Sequence, residues 1–204
     1  MLKAIIFDFD GVVVDTTPYH FKAWKKTFND EGLSFTLEDY LKKVSGLPRK
    51  QGILNMMPSI SRPRLSFLMN KKQKLYLEEI DKNPPKVFNG FLKLLIALKK
   101  QGIKIAVASS SKNVRYILSK IRIIDEFDAV ISGNDFKKSK PDPDIFLTAA
   151  KSLKTRPENC LVFEDAGAGV RAARNANMHC IGFASSDNET ELEKSGADLV
   201  IKSF

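Results

Sequence analysis

The chain has only two cysteines in 204 residues, and neither stands in a CxxC or any other zinc-like spacing. Cys160 and Cys180 lie in or beside apolar, strand-like runs, so they read as reduced core thiols without chemistry of their own. Long apolar runs are missing too. The opening MLKAIIFDFD meets acid at its eighth residue, leaving no room for a signal peptide, and no later run approaches transmembrane length. The expectation is a cytoplasmic protein with no membrane partner. Internal repeats and low-complexity tracts are absent. Acid is missing from one segment: between Lys42 and Lys74 there are nine Lys or Arg residues and no Asp or Glu, which marks a solvated basic surface or one that faces anions. That segment has no finger, RRM or homeodomain signature and few aromatics for stacking. Nucleic acid is therefore not expected, and phosphorylated small molecules are the better partner.

What is present is an ordinary globular composition, with 43% hydrophobic and 28% charged residues and a net charge of +9. The length suits one large domain, or a domain with a smaller companion. Apolar strand-like runs recur at Ala4 to Phe9, Ile103 to Ala108, Ala129 to Ile131, Cys160 to Phe163, Cys180 to Ala184 and Leu199 to Ile201. Helical patterns lie between most of them, among them Phe91 to Lys100, Ile145 to Leu153 and Val170 to Asn177. Alternating strands and helices predict a parallel sheet covered on both faces. From Thr16 to Lys86 no strand pattern occurs, only helical ones, bracketed by Thr17-Pro18 and Asn83-Pro84-Pro85, which read as hinge-like connectors. The predicted architecture is an α/β, Rossmann-like parallel sheet core (1–15 and 87–204) with an inserted all-helical cap (16–86).

Ligands of open parallel sheets bind at the carboxyl ends of the strands, so those ends are where chemistry is sought. The first strand ends in Asp8-Phe9-Asp10-Gly11. In a strand these two aspartates would share a face. At roughly 6.5 Å they repel by about 2.5 kcal/mol at an effective dielectric of 20, which a bound cation would offset. A surface hairpin with an Asp-Gly turn is the alternative on this stretch alone. The second strand ends in Ser109-Ser110-Ser111-Lys112-Asn113, where hydroxyls and free amides could meet a phosphate, or where Ser111 simply caps the next helix. After the third comes Lys140 before Pro141, biased to extended backbone, then Asp142 and Pro143 as N-cap and first residue of a helix. The fourth ends in the pair Glu164-Asp165. Carboxylate pairs at two strand ends suit a divalent cation with all-oxygen ligation, such as Mg²⁺. Gly167-Ala168-Gly169-Val170-Arg171-Ala172 also fits a dinucleotide fingerprint, with Asp187 about twenty residues on. Glu164 and Asp165 would repel the pyrophosphate there, which argues against it.

Taken in order on one sheet, these four strand ends resemble the motifs of the haloacid dehalogenase superfamily, and the resemblance covers essentially the whole chain. It implies Asp8 as nucleophile, Asp10 as general acid and base, Ser109 and Lys140 as holders of the transferring phosphoryl group, and Mg²⁺ held by Asp8, Asp10, Glu164 and Asp165. Within that superfamily, Asp15 to Trp24 is similar to the β-phosphoglucomutase-like branch. There Thr16 and His20 would help position the acid and base, and Trp24 would help line the cap. Gly46 and Arg49, in Ser45-Gly46-Leu47-Pro48-Arg49, match the cap's substrate loop, with Pro48 where a serine is common. Lys72 matches a cap lysine, and Ser110, Ser111, Lys112 and Asn113 match a loop gripping the phosphate that is not transferred. The implied activity is phosphoryl transfer on a phosphorylated sugar through an aspartyl phosphate. A mutase interconverting β-glucose 1-phosphate and glucose 6-phosphate is the first expectation, a sugar phosphatase the second, and a basic binding protein without catalysis the third. The chain is expected to act as a monomer.

Overall fold

The computed structural model describes residues 1–184 and 187–204, and the chain divides into two compact units, Met1–Asp15 with Pro85–Phe204 and Thr16–Pro84. In the first unit six parallel strands form one sheet: β1 (Ala4–Asp8), β2 (Lys104–Ala108), β3 (Ala129–Ile131), β4 (Cys160–Glu164), β5 (His179–Phe183) and β6 (Leu199–Ile201). Their order is β3-β2-β1-β4-β5-β6. The order reverses beside β1, and ligands of open α/β sheets bind at such a switch point.

Every residue of β1 is buried, because both faces of the sheet are covered and a central strand has no polar side. Ala4 and Ile6 pack among residues of α7 (Asp144–Ser152) and α8 (Gly167–Asn175). On the other face, Phe7 stacks on Phe163 and meets Phe91 of α5 (Phe91–Lys100) edge-on, both with ring centroids 5.0 Å apart. Truncating so buried a ring costs about 3–5 kcal/mol. Cys160 and Cys180 are free and buried. Burial pushes their thiols up to about 11 and about 12, so they are inert, in line with the sequence reading.

The strand ends differ from the sequence reading in three places. β1 stops at Asp8, and the Val13 and Val14 amides fold back onto the Phe9 carbonyl. Asp10 therefore lies beyond the strand, in an isolated bridge to Val14 ahead of the turn at 11–13, and does not share a strand face with Asp8. Ser111 is not a helix N-cap: α6 (Val114–Lys120) begins after Asn113, and the Ser111 hydroxyl accepts from the Asn113 amide at 3.1 Å. α7 begins at Asp144, two residues after Asp142, whose carboxylate accepts from the Asp144 amide at 3.1 Å.

The second unit is helical. α1 (Thr17–Asn29), α2 (Leu37–Asp39), α3 (Arg49–Met56) and α4 (Arg62–Lys82) enclose Trp24, Phe28, Phe35, Tyr40, Val44, Ile53 and Leu68. Thr17-Pro18 is the first turn of α1 and not a connector, since proline lacks only an amide that has no helical acceptor there. The second crossing falls between Pro84 and Pro85, two residues before the expected boundary. Thr36 and Asp39 form a reciprocal capping box at α2. A π-helical turn, Tyr40–Val44, follows directly. The acid-free basic segment is largely answered by acids from outside it: Glu38 pairs with Lys42, Asp39 with Lys43, Glu31 with Arg64 and Asp30 with Lys71. The solvent-exposed Glu38–Lys42 pair contributes about 0–1 kcal/mol. No helix among the described residues is long and apolar enough to cross a membrane.

Candidate active site

The core site is built where β1, β2 and β4 end. Lys140 enters from the loop after β3, and its ammonium bridges the Asp8 and Glu164 carboxylates, with its side chain only 14% exposed. The loop is pinned by a residue that sequence reading passed over: the Asp144 carboxylate accepts from the Lys137 and Lys138 amides at 2.8 and 3.1 Å. Those bonds hold Asp144 below the usual carboxylate range. Ser109, buried at the end of β2, donates its hydroxyl to the Asp10 carboxylate at 3.2 Å and accepts the Ser111 amide at 3.0 Å. Ser110 and Lys112 are exposed. The amides of Ser111 and Asn113 are engaged by hydroxyls within the loop, so they are not the free donors the sequence suggested. Gly133 was also missed. A Cβ on it would overlap the Ser110 carbonyl, so the loop after β3 approaches the serine loop closely only because this residue is glycine.

Charge is the dominant property of this site. Burial, with the Glu164 and Asp10 charges, pushes Asp8 up to about 8 against the opposing pull of Lys140. Asp165 is raised well above the carboxylate range by burial, Glu164 and Asp8. Lys140 is raised by Asp8 and Glu164 despite its own burial. Four carboxylates thus face one ammonium. Among the described residues no group of three or more His, Cys, Asp or Glu is already disposed as a metal cage, the Lys140 ammonium standing between Asp8 and Glu164. The donor set is nonetheless all oxygen and carries excess negative charge, which fits a hard divalent cation. Two glycines make room for its carboxylates. A Cβ on Gly11, at φ +84°, would overlap the Asp165 carboxylate, and one on Gly169 would overlap that of Glu164. The second overlap explains the dinucleotide-like glycine pattern: its middle glycine accommodates a carboxylate, not a pyrophosphate.

The helical unit places the remaining candidates. Thr16 is buried, and its carbonyl accepts from the Tyr19 and His20 amides, both at 3.1 Å, as α1 begins. His20 stacks on Tyr76 with centroids 4.2 Å apart, and its Nδ1 lies 2.7 Å from the Lys72 ammonium. An ammonium only donates, so Nδ1 accepts and the proton resides on Nε2. Burial, then the charges of Lys72 and Arg49, hold His20 well below the ordinary histidine range, hence neutral. Lys72 is only 2% exposed and lies over the Trp24 and Tyr76 rings at 5.1 and 4.8 Å. It is a buried support of His20 and not an exposed cation. Trp24 is 3% exposed and stacks on Phe28, so it belongs to the cap core. Arg49 is half-buried at the start of α3, donates to the Met69 carbonyl at 3.1 Å, and is held below the usual guanidinium range by burial. Gly46 turns at φ +70° just after the π-helical turn, with open space where a side chain would be.

A family model for haloacid dehalogenase-like hydrolases matches residues 5–183. The chain belongs to the haloacid dehalogenase-like hydrolases. Its place among them is the β-phosphoglucomutase-like branch. A β-phosphoglucomutase of Bacillus subtilis is 36% identical over 208 residues, covering 98% of this chain and 89% of that protein. A phosphorylated carbohydrates phosphatase of Thermotoga maritima is 32% identical over 98% of this chain and 94% of its own. A solved β-phosphoglucomutase from Clostridium difficile superposes with a TM-score of 0.83 at 34% identity, over 100% of this chain and 92% of that one. Within this haloacid dehalogenase-like family, the chemistry of the chain is phosphoryl transfer on small phosphorylated substrates.

Proposed function

We propose that the chain is a Mg²⁺-dependent β-phosphoglucomutase, transferring a phosphoryl group between the 1- and 6-positions of glucose through an aspartyl phosphate on Asp8. The Asp8 carboxylate attacks phosphorus while the bond to the sugar oxygen breaks, and Asp10 protonates that oxygen as it leaves. In the return half, Asp10 takes the proton of the acceptor hydroxyl as that oxygen attacks the aspartyl phosphate. Ser109 and Lys140 hold the phosphoryl oxygens during transfer, Lys140 as a point charge. Mg²⁺, held by Asp8, the Asp10 backbone carbonyl, Glu164 and Asp165, would offset the clustered carboxylates and keep Asp8 ionised.

The observation that carries the mutase reading is the division of the β2 loop. Ser109 is buried against Asp10, while Ser110 and Lys112 of the same loop are exposed. On this reading Ser109 would hold the phosphate being transferred, and Ser110 and Lys112 would meet a phosphate that is not. A mutase needs both, because its bisphosphate must be held at either end. The phosphatase reading is supported by the Thermotoga relative and by Pro48 in the cap loop, and it differs only in using water as acceptor. Incubation with Mg²⁺, β-glucose 1-phosphate and a trace of β-glucose 1,6-bisphosphate separates the two. Glucose 6-phosphate with little free phosphate supports the mutase, whereas mainly free phosphate makes the chain a phosphatase.

A further inference from the structure

We propose that Asn188 is a positioning residue for Mg²⁺, setting the backbone of Asp165 from the connection between β5 and β6. The inference rests on the metal reading above. Asp165 follows β4 directly, one residue past the last ladder pair, Glu164 with Gly182. Its backbone therefore has no sheet partner to fix it. The Asn188 side-chain amide supplies one, donating from Nδ2 to the Asp165 carbonyl at 2.6 Å across 23 residues. Asn188 is in turn fixed by α9 (Glu189–Lys194), whose Leu192 amide bonds the Asn188 carbonyl at 3.1 Å and whose Leu192 side chain is fully buried. A rigid chain of contacts thus runs from the core, through α9, to the carbonyl of a carboxylate residue that would hold the metal. Residues that orient metal ligands in this way commonly change metal affinity by 10–100-fold when replaced.

Two features separate this role from helix capping. The Asn188 side chain makes no capping bond to α9 although it stands at the cap position. Its Oδ1 has no hydrogen-bond partner among the described residues, so the side chain is held there through the Nδ2 donation to Asp165. The geometry instead uses the one atom a serine or alanine cannot place there, the Nδ2 donor.

The test compares wild type with Asn188→Ser and Asn188→Ala, without substrate, by calorimetric Mg²⁺ titration and by the Mg²⁺-dependent rise in melting temperature. Asn188 makes no capping bond to α9, so neither variant removes a cap, and the metal-free melting temperature of each reads the stability lost with the Asp165 contact. The expected result is Mg²⁺ binding weakened about 10-fold in both variants. Mg²⁺ affinity within twofold of wild type would overturn the role of Asn188 while leaving the metal reading intact. A wild type that takes up no Mg²⁺ would overturn both.

Discussion

The Lys72 ammonium lies 2.7 Å from His20 Nδ1 and is 2% exposed. A buried cation therefore fixes the tautomer of the imidazole, and together with burial and Arg49 keeps it neutral. The ammonium lies over the Trp24 and Tyr76 rings, whose negative faces attract it, and cation–π contacts of this kind contribute about 0.5–2 kcal/mol.

Replacing Lys72 with Met should raise the His20 pKa toward the ordinary histidine range, because the lysine charge is one of the influences lowering it. An NMR titration of the His20 ring in both proteins checks this. An unchanged, depressed value in Lys72→Met would leave burial and the Arg49 charge as the causes.

The same shift sets a pH dependence. His20 is lowered when folded, so below about 6.5 the unfolded chain binds a proton that the folded chain does not. Stability from this group is full above that pH and declines as pH falls toward the folded pKa. Urea unfolding between pH 7 and 5 should show a decline that is smaller in His20→Gln. Equal slopes in the two proteins would count against a neutral His20.

Lys140→Met removes the one ammonium that the Asp8 and Glu164 carboxylates share. The metal-free protein should lose about 3 kcal/mol in urea unfolding, and Mg²⁺ should restore part of it by supplying the missing positive charge. A loss unaffected by Mg²⁺ would mean that the cation does not bind among these carboxylates.

Gly169→Ala places a methyl group on the Glu164 carboxylate. Overpacking of this kind costs about 1–3 kcal/mol, and here it should also weaken Mg²⁺ binding. Gly102→Ala is a control for glycine loss in general, since no atom lies near its added carbon, although its φ of +69° brings backbone strain. If both variants bound Mg²⁺ as wild type does, the glycine would not be making room for a ligand.

The carboxylates, the serine and the lysine of the candidate site could be read from the sequence because each follows an apolar strand, and parallel strands deliver their carboxyl ends to one edge. The bend that takes Asp10 off the strand could not, since Asp-x-Asp-Gly fits an extended run as well as a bend. Asp144, Gly133 and Asn188 act on residues far along the chain or on backbone atoms, and neither leaves a local pattern. Lys72, in Lys71-Lys72-Gln73-Lys74, matches a substrate-binding cap lysine by resemblance, and its burial was not read from the sequence. The signal was the spacing: the buried residues of α4 are Leu68, Lys72, Tyr76 and Ile80, an i, i+4 series that puts Lys72 on the inward stripe.

The central claim is phosphoryl transfer on Asp8, and the most direct measurement is the turnover of β-glucose 1-phosphate with Mg²⁺ by wild type and Asp8→Asn side by side. The account predicts a fall on the order of 10⁴-fold or more, as for loss of an enzymatic nucleophile, with the variant still folded by circular dichroism. Turnover by folded Asp8→Asn at the wild-type rate would contradict it.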